Sequence, residues 1–208
     1  MRILIADDHG AVRKGVRQII LDEFANAEIE EAIDADSVIE KIKSKKWDLV
    51  ICDHTMPGKS GLEVAQFIKK EYPQLPMLML SIHPEEQYAI RALRAGAAGY
   101  LSKDAPNEEI IKAAHLLLLG RKYISTGVVE KLTEWLNPNS SNKNPHELLS
   151  DREFDVFNYI AKGQPISEIA QLLSISVSTV STTRANILSK MNLKSNAEII
   201  RYAIEHSL

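Results

Sequence analysis

The sequence has little cysteine and no long hydrophobic run, and its charges nearly balance. Its 208 residues include one cysteine, Cys52, which excludes an internal disulfide and a cysteine zinc cluster. No apolar run approaches the roughly 20 residues that span a bilayer, and Asp7 and Asp8 stand where a signal peptide would still be apolar. The 25 basic and 28 acidic residues give a net charge of −3, so any nucleic-acid surface must be local. We expect a soluble cytoplasmic protein without a membrane partner.

Five short apolar runs alternate with amphipathic stretches over the first 120 residues. The runs cover residues 3–6, 29–33, 49–52, 77–80 and 100–101, of which 29–33 is a weaker strand candidate because it contains two glutamates. Apolar residues at helical spacing follow each run, for example over residues 11–24, 84–95 and 106–119. This alternation predicts a doubly wound α/β domain, in which a five-stranded parallel sheet carries helices on both faces. In such folds, ligands bind beyond the carboxyl ends of the strands.

The chain changes character after residue 137. Residues 137–145 have no apolar residue beyond two prolines, which predicts a solvated linker. We predict a first domain at 1–120, a linker at 121–147 that includes a short helix at 125–136, and a smaller all-helical domain at 148–208. Capping boxes at Ser150–Glu153 and Ser195–Glu198 would open two helices of the smaller domain. A helix, a short turn and a second helix span residues 166–191.

Polar side chains with functional potential fall at the carboxyl ends of the predicted strands. They are Asp7, Asp8, Asp53, Ser81 and Lys103. Carboxylates that share one crevice repel each other, and a hard cation such as Mg²⁺ relieves the repulsion. Such a site can transfer a phosphoryl group to a carboxylate, with an ammonium and a hydroxyl holding the phosphoryl oxygens. Taken singly, each acid could instead be a loop residue or a helix cap.

Four segments of the first domain are similar to a known family. Residues 1–120 resemble the receiver domain of two-component response regulators in IADDH at 5–9, CDHTMPGKSG at 52–61, LMLS at 78–81 and GYLSK at 99–103. The resemblance implies a flavodoxin-like fold in which Asp53 accepts phosphate from a sensor histidine kinase. It also implies that Mg²⁺ is held by Asp8, Asp53 and the backbone carbonyl of Thr55, with Asp7 helping through water.

The same resemblance assigns three further residues. Lys103 would contact the phosphate or the unmodified carboxylate, and Ser81 and Tyr100 occupy the switch positions of the family. Phosphorylation adds roughly −2 charge and three strong acceptors to Asp53. Ser81 can donate a hydrogen bond to one acceptor, and Tyr100 can rotate into the space that Ser81 leaves. The modification would thereby shift an existing two-state equilibrium.

The smaller domain resembles a LuxR-type helix-turn-helix domain. The matching segments are LSDREFDVF at 149–157, EIAQLLSISVSTV at 168–180 and ILSKM at 187–191. The two domains together resemble response regulators of the NarL/FixJ subfamily. This implies a phosphorylation-dependent homodimer that binds promoter DNA with the helix at 177–191. By matching position, Ser181, Thr182 and Ala185 would face bases, while Thr179, Arg184 and Lys190 would lie nearer the DNA backbone.

The basic residues of the smaller domain are few for a DNA-binding protein. Residues 146–208 hold six basic and seven acidic side chains, a net charge of −1, which is poor for non-specific DNA binding. A second hypothesis is therefore a signalling adaptor whose C-terminal domain binds protein. A third is a Mg²⁺-dependent phosphohydrolase with an aspartyl nucleophile, but the chain lacks the Asp-x-Asp pattern usual in such enzymes. The favoured function is a regulator and not an enzyme.

Overall fold

The computed structural model describes residues 1–125, 128–129, 144–206 and 208. The chain forms two compact units, Met1–Leu136 and Asn137–Leu208. Most of the helix predicted at 125–136, and most of the predicted linker, lie outside the described residues. The domain boundaries at residues 120 and 147 therefore stay a prediction.

The first unit is a parallel sheet with alternating helices. Its strands are β1 (Arg2–Ala6), β2 (Glu28–Ala32), β3 (Leu49–Asp53), β4 (Met77–Ser81) and β5 (Gly99–Ser102). Its helices are α1 (Gly10–Glu23), α2 (Ala35–Ser44), α3 (Gly61–Glu71), α4 (Glu85–Ala95) and α5 (Asn107–Leu118). The strand order is β2-β1-β3-β4-β5, with every neighbouring pair parallel. The doubly wound α/β prediction is confirmed, and the strand and helix ends differ by one or two residues.

Burial explains why the sequence patterns of the strands differ. Every residue of β3 and β4 is buried, because helices cover both faces of the central sheet. Strand β2 lies at an edge and stays partly exposed, so it tolerates three glutamates. These acids pair with basic side chains of neighbouring elements in Arg2–Glu28, Arg13–Glu31 and Lys41–Glu30. The apolar pattern of β2 is weaker for this reason.

The order of the strands reverses between β1 and β3, and this point opens a crevice at their carboxyl ends. Ala6 of β1 is in register with Cys52 of β3. The next residues along these strands, Asp7 and Asp53, therefore leave the sheet side by side. The register thus brings together two acids that are 46 positions apart in the sequence.

Gly61 allows helix α3 to begin close against the end of β3. Its amide donates to the carbonyl of His54 at 2.8 Å, and Ser60 and Glu63 form a capping box around the helix start. A Cβ atom on Gly61 would lie 2.2 Å from the carbonyl oxygen of Asp53. A side chain here would therefore push against the backbone of the strand that carries Asp53.

The second unit is helical throughout its described residues. A 3₁₀ helix (Pro145–Leu148) precedes α6 (Asp151–Ala161), α7 (Ile166–Leu172), α8 (Val177–Lys190) and α9 (Asn196–Glu205). Phe154, Phe157 and Ile160 are buried as predicted, and the two phenylalanine rings stack at 6.0 Å. Residues 153–160 of α6 are all buried, so this helix is enclosed on every side and lies at the centre of the unit.

One of the two predicted capping boxes of this unit is complete. Ser150 and Glu153 cap α6 reciprocally, as predicted. Of the capping box predicted at Ser195–Glu198, one of the two hydrogen bonds forms and the other does not. Ser195 accepts from the amide of Glu198, but the Glu198 carboxylate accepts from the amide of Lys194 at 2.7 Å instead of that of Ser195.

Among the residues that the structure describes, no helix combines the length and the apolar character needed to cross a membrane.

We expect Gly61→Ala to lower the free energy of unfolding of the first unit by about 1–3 kcal/mol, because the new methyl group overlaps the Asp53 carbonyl. Gly15→Ala is the matched control, since its Cβ would meet no atom within 4 Å. In helix α1 that change should instead stabilise by about 0.5–1 kcal/mol. Urea unfolding of both variants tests the expectation, and equal unfolding midpoints would contradict it.

Candidate functional site

The crevice between β1 and β3 holds an acidic pocket. Asp7 and Asp53 are buried there, and Asp8 and His9 lie at its exposed rim. One ligand atom from each of these four residues lies within 4.8 Å of the others. The structure thus brings together the three acids that the sequence placed at strand ends.

Lys103 joins the two buried acids of the pocket. Its Nζ atom lies 2.6 Å from Oδ2 of Asp7 and 2.9 Å from Oδ2 of Asp53. The residue follows β5, and its amide donates to the carbonyl of Ser81 at 2.7 Å, which extends the β4–β5 pairing beyond the strands. The lysine predicted from the end of the fifth apolar run therefore lies in the site.

Burial and neighbouring charge oppose each other in setting the ionisation of Asp53. Burial raises the pKa of Asp53 above its ordinary value of 3.8, and the charge of Asp7 adds to this effect. Lys103 and the amide of Thr55, which donates to the carboxylate, act in the lowering direction without cancelling the rise. For Lys103, burial would lower the pKa, but Asp7 and Asp53 together raise it. The pocket therefore stabilises the ammonium and leaves an excess of negative charge.

The residues of the pocket fit a hard divalent cation. Its carboxylate oxygens are the ligand type that Mg²⁺ prefers, and the three acids exceed the one ammonium in charge. Asp8 keeps 32% of its side chain exposed, so solvent reaches the pocket on that side. His9 is also at the rim, where its Nδ1 lies 2.6 Å from Oδ1 of Asp8. The oxygen-rich set favours Mg²⁺ over a transition metal.

The two predicted switch residues both hydrogen-bond to the backbone of His83. Ser81 Oγ accepts from the amide of His83 at 3.0 Å, and the Tyr100 hydroxyl donates to the carbonyl of His83 at 3.0 Å. Ser81 and Tyr100 are both buried. The ring of His83 stacks on that of Tyr88 in α4, with centroids 4.4 Å apart. Sequence reasoning missed this role of His83, because its contacts to the switch residues are made by its backbone.

Cys52 behaves as a core residue. It is fully buried, and its thiol donates to the Asp53 carbonyl at 3.3 Å. Burial, together with the charges of Asp53 and Asp7, raises the pKa of the thiol well above its usual range. The interpretation of Cys52 as a small hydrophobic residue instead of a redox centre fits this environment.

Helix α8 of the second unit contains the six candidate DNA contacts. Val180 and Ile187 bury one side of the helix in the domain. Thr179, Ser181, Thr182, Ala185 and Lys190 are exposed, and Arg184 is partly buried. The exposed residues are available to a partner of this unit.

Both cationic side chains of α8 are engaged within their own domain. The Nε atom of Arg184 donates to Oδ1 of Asn196 in α9. Lys190 Nζ lies 2.6 Å from Oε2 of Glu153 in α6, and the Glu153 side chain is only 9% exposed. The pKa of Glu153 is lowered, because hydrogen bonds from Lys190 and Ser150 outweigh the effect of burial. Lys190 therefore ties α8 to α6, a structural role that sequence reasoning missed.

A doubly wound sheet with an acidic crevice at its switch point and a lysine just after its last strand defines a receiver-type domain, here followed by a helix-turn-helix unit. Residues 3–115 match the response regulator receiver domain model. Residues 147–203 match the model for bacterial regulatory proteins of the luxR family. The chain therefore belongs to the two-component response regulators, in the NarL/FixJ subfamily. This family of regulators excludes the phosphohydrolase hypothesis.

Two relatives match this chain over nearly their whole length. The oxygen regulatory protein NreC of Staphylococcus carnosus is 35% identical over 214 residues, covering 100% of this chain and 99% of its own. The response regulator UvrY of Escherichia coli is 31% identical, covering 100% and 95%.

Solved structures are similar in fold. The receiver domain of NarL from Mycobacterium tuberculosis is 34% identical over 58% of this chain and 97% of its own, with a TM-score of 0.54. RcsB from Salmonella enterica, in a complex with promoter rprA and BeF₃⁻, covers 97% of this chain and 98% of its own with a TM-score of 0.63. At 23% identity, the RcsB similarity supports the fold alone.

The raised pKa of Asp53 predicts that Asp53→Asn stabilises the first unit at pH 7 in metal-free buffer. The folded chain keeps the Asp53 proton to a higher pH than the unfolded chain does, so stability falls as pH rises from the ordinary pKa through the raised one. The asparagine does not titrate. The melting temperature of Asp53→Asn should therefore exceed that of the wild type most at pH 7, and the difference should become smaller in acid. Asp104→Asn removes an exposed carboxylate and serves as control. A melting temperature for Asp53→Asn below that of the wild type at pH 7 would contradict the expectation.

Proposed function

We propose that this protein is a transcriptional regulator whose DNA binding is controlled by phosphorylation of Asp53 by a sensor histidine kinase. The observation that carries the proposal is the bridge from Lys103 to Asp7 and Asp53 in a chain of the response regulator family. The proposed organisation is a receiver at 1–120, a linker at 121–147 and a DNA-binding domain at 148–208.

The phosphoryl group would pass from a phosphohistidine to Asp53. A carboxylate oxygen of Asp53 attacks phosphorus, an acyl phosphate bond forms, and the phosphorus–nitrogen bond to the leaving imidazole breaks. Lys103 lies 2.9 Å from the carboxylate and is placed to hold a phosphoryl oxygen. Mg²⁺, held by Asp8, Asp53 and the Thr55 carbonyl with Asp7 through water, would supply positive charge that offsets the pocket's excess of negative charge.

Phosphorylation would act on the switch residues through the backbone of His83. Ser81 Oγ now accepts from the His83 amide, and a phosphoryl oxygen on Asp53 would offer the Ser81 O–H group a strong acceptor. If Ser81 turns toward that acceptor, it releases the hydrogen bond from the His83 amide, which is one of the two hydrogen bonds that hold the His83 backbone. The Tyr100 hydroxyl holds the other. The modification would thus change the segment between β4 and α4 and favour a receiver homodimer.

Helix α8 would enter the major groove of promoter DNA. The helix has 14 residues and is therefore about 21 Å long, which suits a groove about 12 Å wide. Ser181, Thr182 and Ala185 would face bases. Thr179, Arg184 and Lys190 would lie near phosphates, and Lys190 would have to give up Glu153 to bind one. A domain with so few available cations gains most from dimerisation.

We expect Asp53→Asn to abolish phosphate incorporation from a small acyl phosphate in the presence of Mg²⁺, because an amide cannot serve as the nucleophile. Asp104→Asn, which removes an exposed acid outside the pocket, should be labelled like the wild type. Undiminished labelling of the asparagine variant would assign the modification to another residue.

We expect Arg184→Ala to weaken DNA binding and to reduce the slope of log affinity against log salt concentration by about one, because one phosphate contact is lost. Lys46→Ala removes an exposed charge of the same sign from the first unit and should leave the slope unchanged. Gel-shift titrations of phosphodonor-treated protein at several salt concentrations measure both. An unchanged slope would remove Arg184 from the phosphate contacts, and no binding of the wild type even at low salt would favour the protein-binding adaptor.

A further inference from the structure

The exposed side of helix α8 carries uncharged side chains. Residues at helical spacing form this side, and all are exposed: Ser178, Ser181, Thr182, Ala185 and Asn186. Val180 and Ile187 face the domain core. A partner that binds along α8 therefore meets hydroxyl, methyl and amide groups.

The charged groups of the helix are held away from this surface. Arg184 is the one charged residue between Val177 and Asn186, and its side chain bonds to Asn196. Lys190 lies 12 residues after Ser178, about 18 Å along the helix axis, and its ammonium is bound by Glu153. In helix-turn-helix proteins the first residues of the recognition helix contact the base edges. Those residues here carry neither an ammonium nor a carboxylate.

This set of groups discriminates between the two kinds of base pair. In the major groove, guanine is recognised chiefly by Arg or Lys on O6 and N7, and cytosine N4 by Glu or Asp. The exposed side of α8 offers none of these, and its Ser and Thr hydroxyls can contact either kind of base pair, so the discrimination depends on its amide and methyl groups. Asparagine binds adenine N6 and N7 in a bidentate manner, and the methyl groups of Ala and Thr contact the thymine methyl group.

Hydrogen bonds within the helix strengthen the preference for A·T over G·C base pairs. The hydroxyls of Ser181 and Thr182 donate to the carbonyls of Val177 and Ser178, at 2.9 and 3.0 Å. Because the Thr182 hydroxyl is bonded to the helix backbone, the methyl group of Thr182 is the part of this side chain that remains for a base contact. The Asn186 amide, one turn further along in the second half of the helix, can donate to and accept from one base in a bidentate manner.

We infer that α8 recognises A·T base pairs in the DNA site, with Asn186 on adenine and the methyl groups of Thr182 and Ala185 on thymine. The inference rests on the proposed function, since it describes how the DNA-binding domain selects its site.

The test is selection of bound duplexes from a random pool by the full-length protein treated with a small acyl phosphate. The enriched positions should be dominated by A·T pairs. Within the enriched site, replacing single thymines by uracil removes the methyl group and should weaken binding several-fold at one or more positions. Asn186→Ala should lower affinity for that site roughly five- to a hundred-fold, while affinity for random duplex stays unchanged.

Two controls keep the result interpretable. Alanine has a higher helix propensity than asparagine, so the circular dichroism spectrum of Asn186→Ala should show the same helical content as that of the wild type. Asn26→Ala makes the same change at an exposed site of the first unit and should leave binding unaltered. Enriched G·C positions, or affinities insensitive to uracil and to Asn186→Ala, would overturn the inference and leave the proposed function standing. Failure to bind any duplex at low salt would overturn the proposed function and the inference together.

Discussion

The ammonium of Lys103 between Asp7 and Asp53 is the interaction on which the acidic site depends. Two buried carboxylates side by side would repel each other, and burial already raises the pKa of Asp53. One lysine, 2.6 and 2.9 Å from them, compensates part of this cost. Because Asp8 adds a third acid, the compensation is incomplete and the pocket keeps its attraction for a divalent cation. The sheet register makes the cluster unavoidable, since β1, β3 and β5 end at the same edge.

The positions of the acidic-site residues could be predicted from the sequence, because each is a charged residue that follows a predicted strand. Asp7, Asp53 and Lys103 each end an apolar run, and in a parallel sheet such ends meet on one side. The sequence could not predict that Ser81 and Tyr100 both bind His83, because the two contacts are made to its backbone N–H and C=O, which do not depend on the His83 side chain. The capping box at Ser195 failed for a related reason: the pattern allows Glu198 to bond either of two neighbouring amides, and it bonds that of Lys194.

The helical unit shows where charge counting from sequence falls short. Residues 176–194 contain Arg184, Lys190 and Lys194 and no acid, a local charge of +3. The structure binds two of these cations internally, Lys190 to an acid that is distant in sequence and Arg184 to an amide. Glu153 is thereby both a helix cap for α6 and a partner for Lys190. The lysine that the sequence offers as a DNA contact thus also stabilises the packing of α8 on α6.

Weak electrostatic attraction to DNA has a consequence for regulation. Non-specific binding depends mainly on released counterions, and therefore on free lysines and arginines. A domain of net charge −1 that holds two of its cations internally should spend little time on random DNA. What matters in a genome is the ratio of specific to non-specific affinity, so a low background is compatible with selectivity. Under the proposed function, the missing affinity would come from joining two such domains, and the state of the receiver, and so the charge on Asp53, would then decide occupancy of the site.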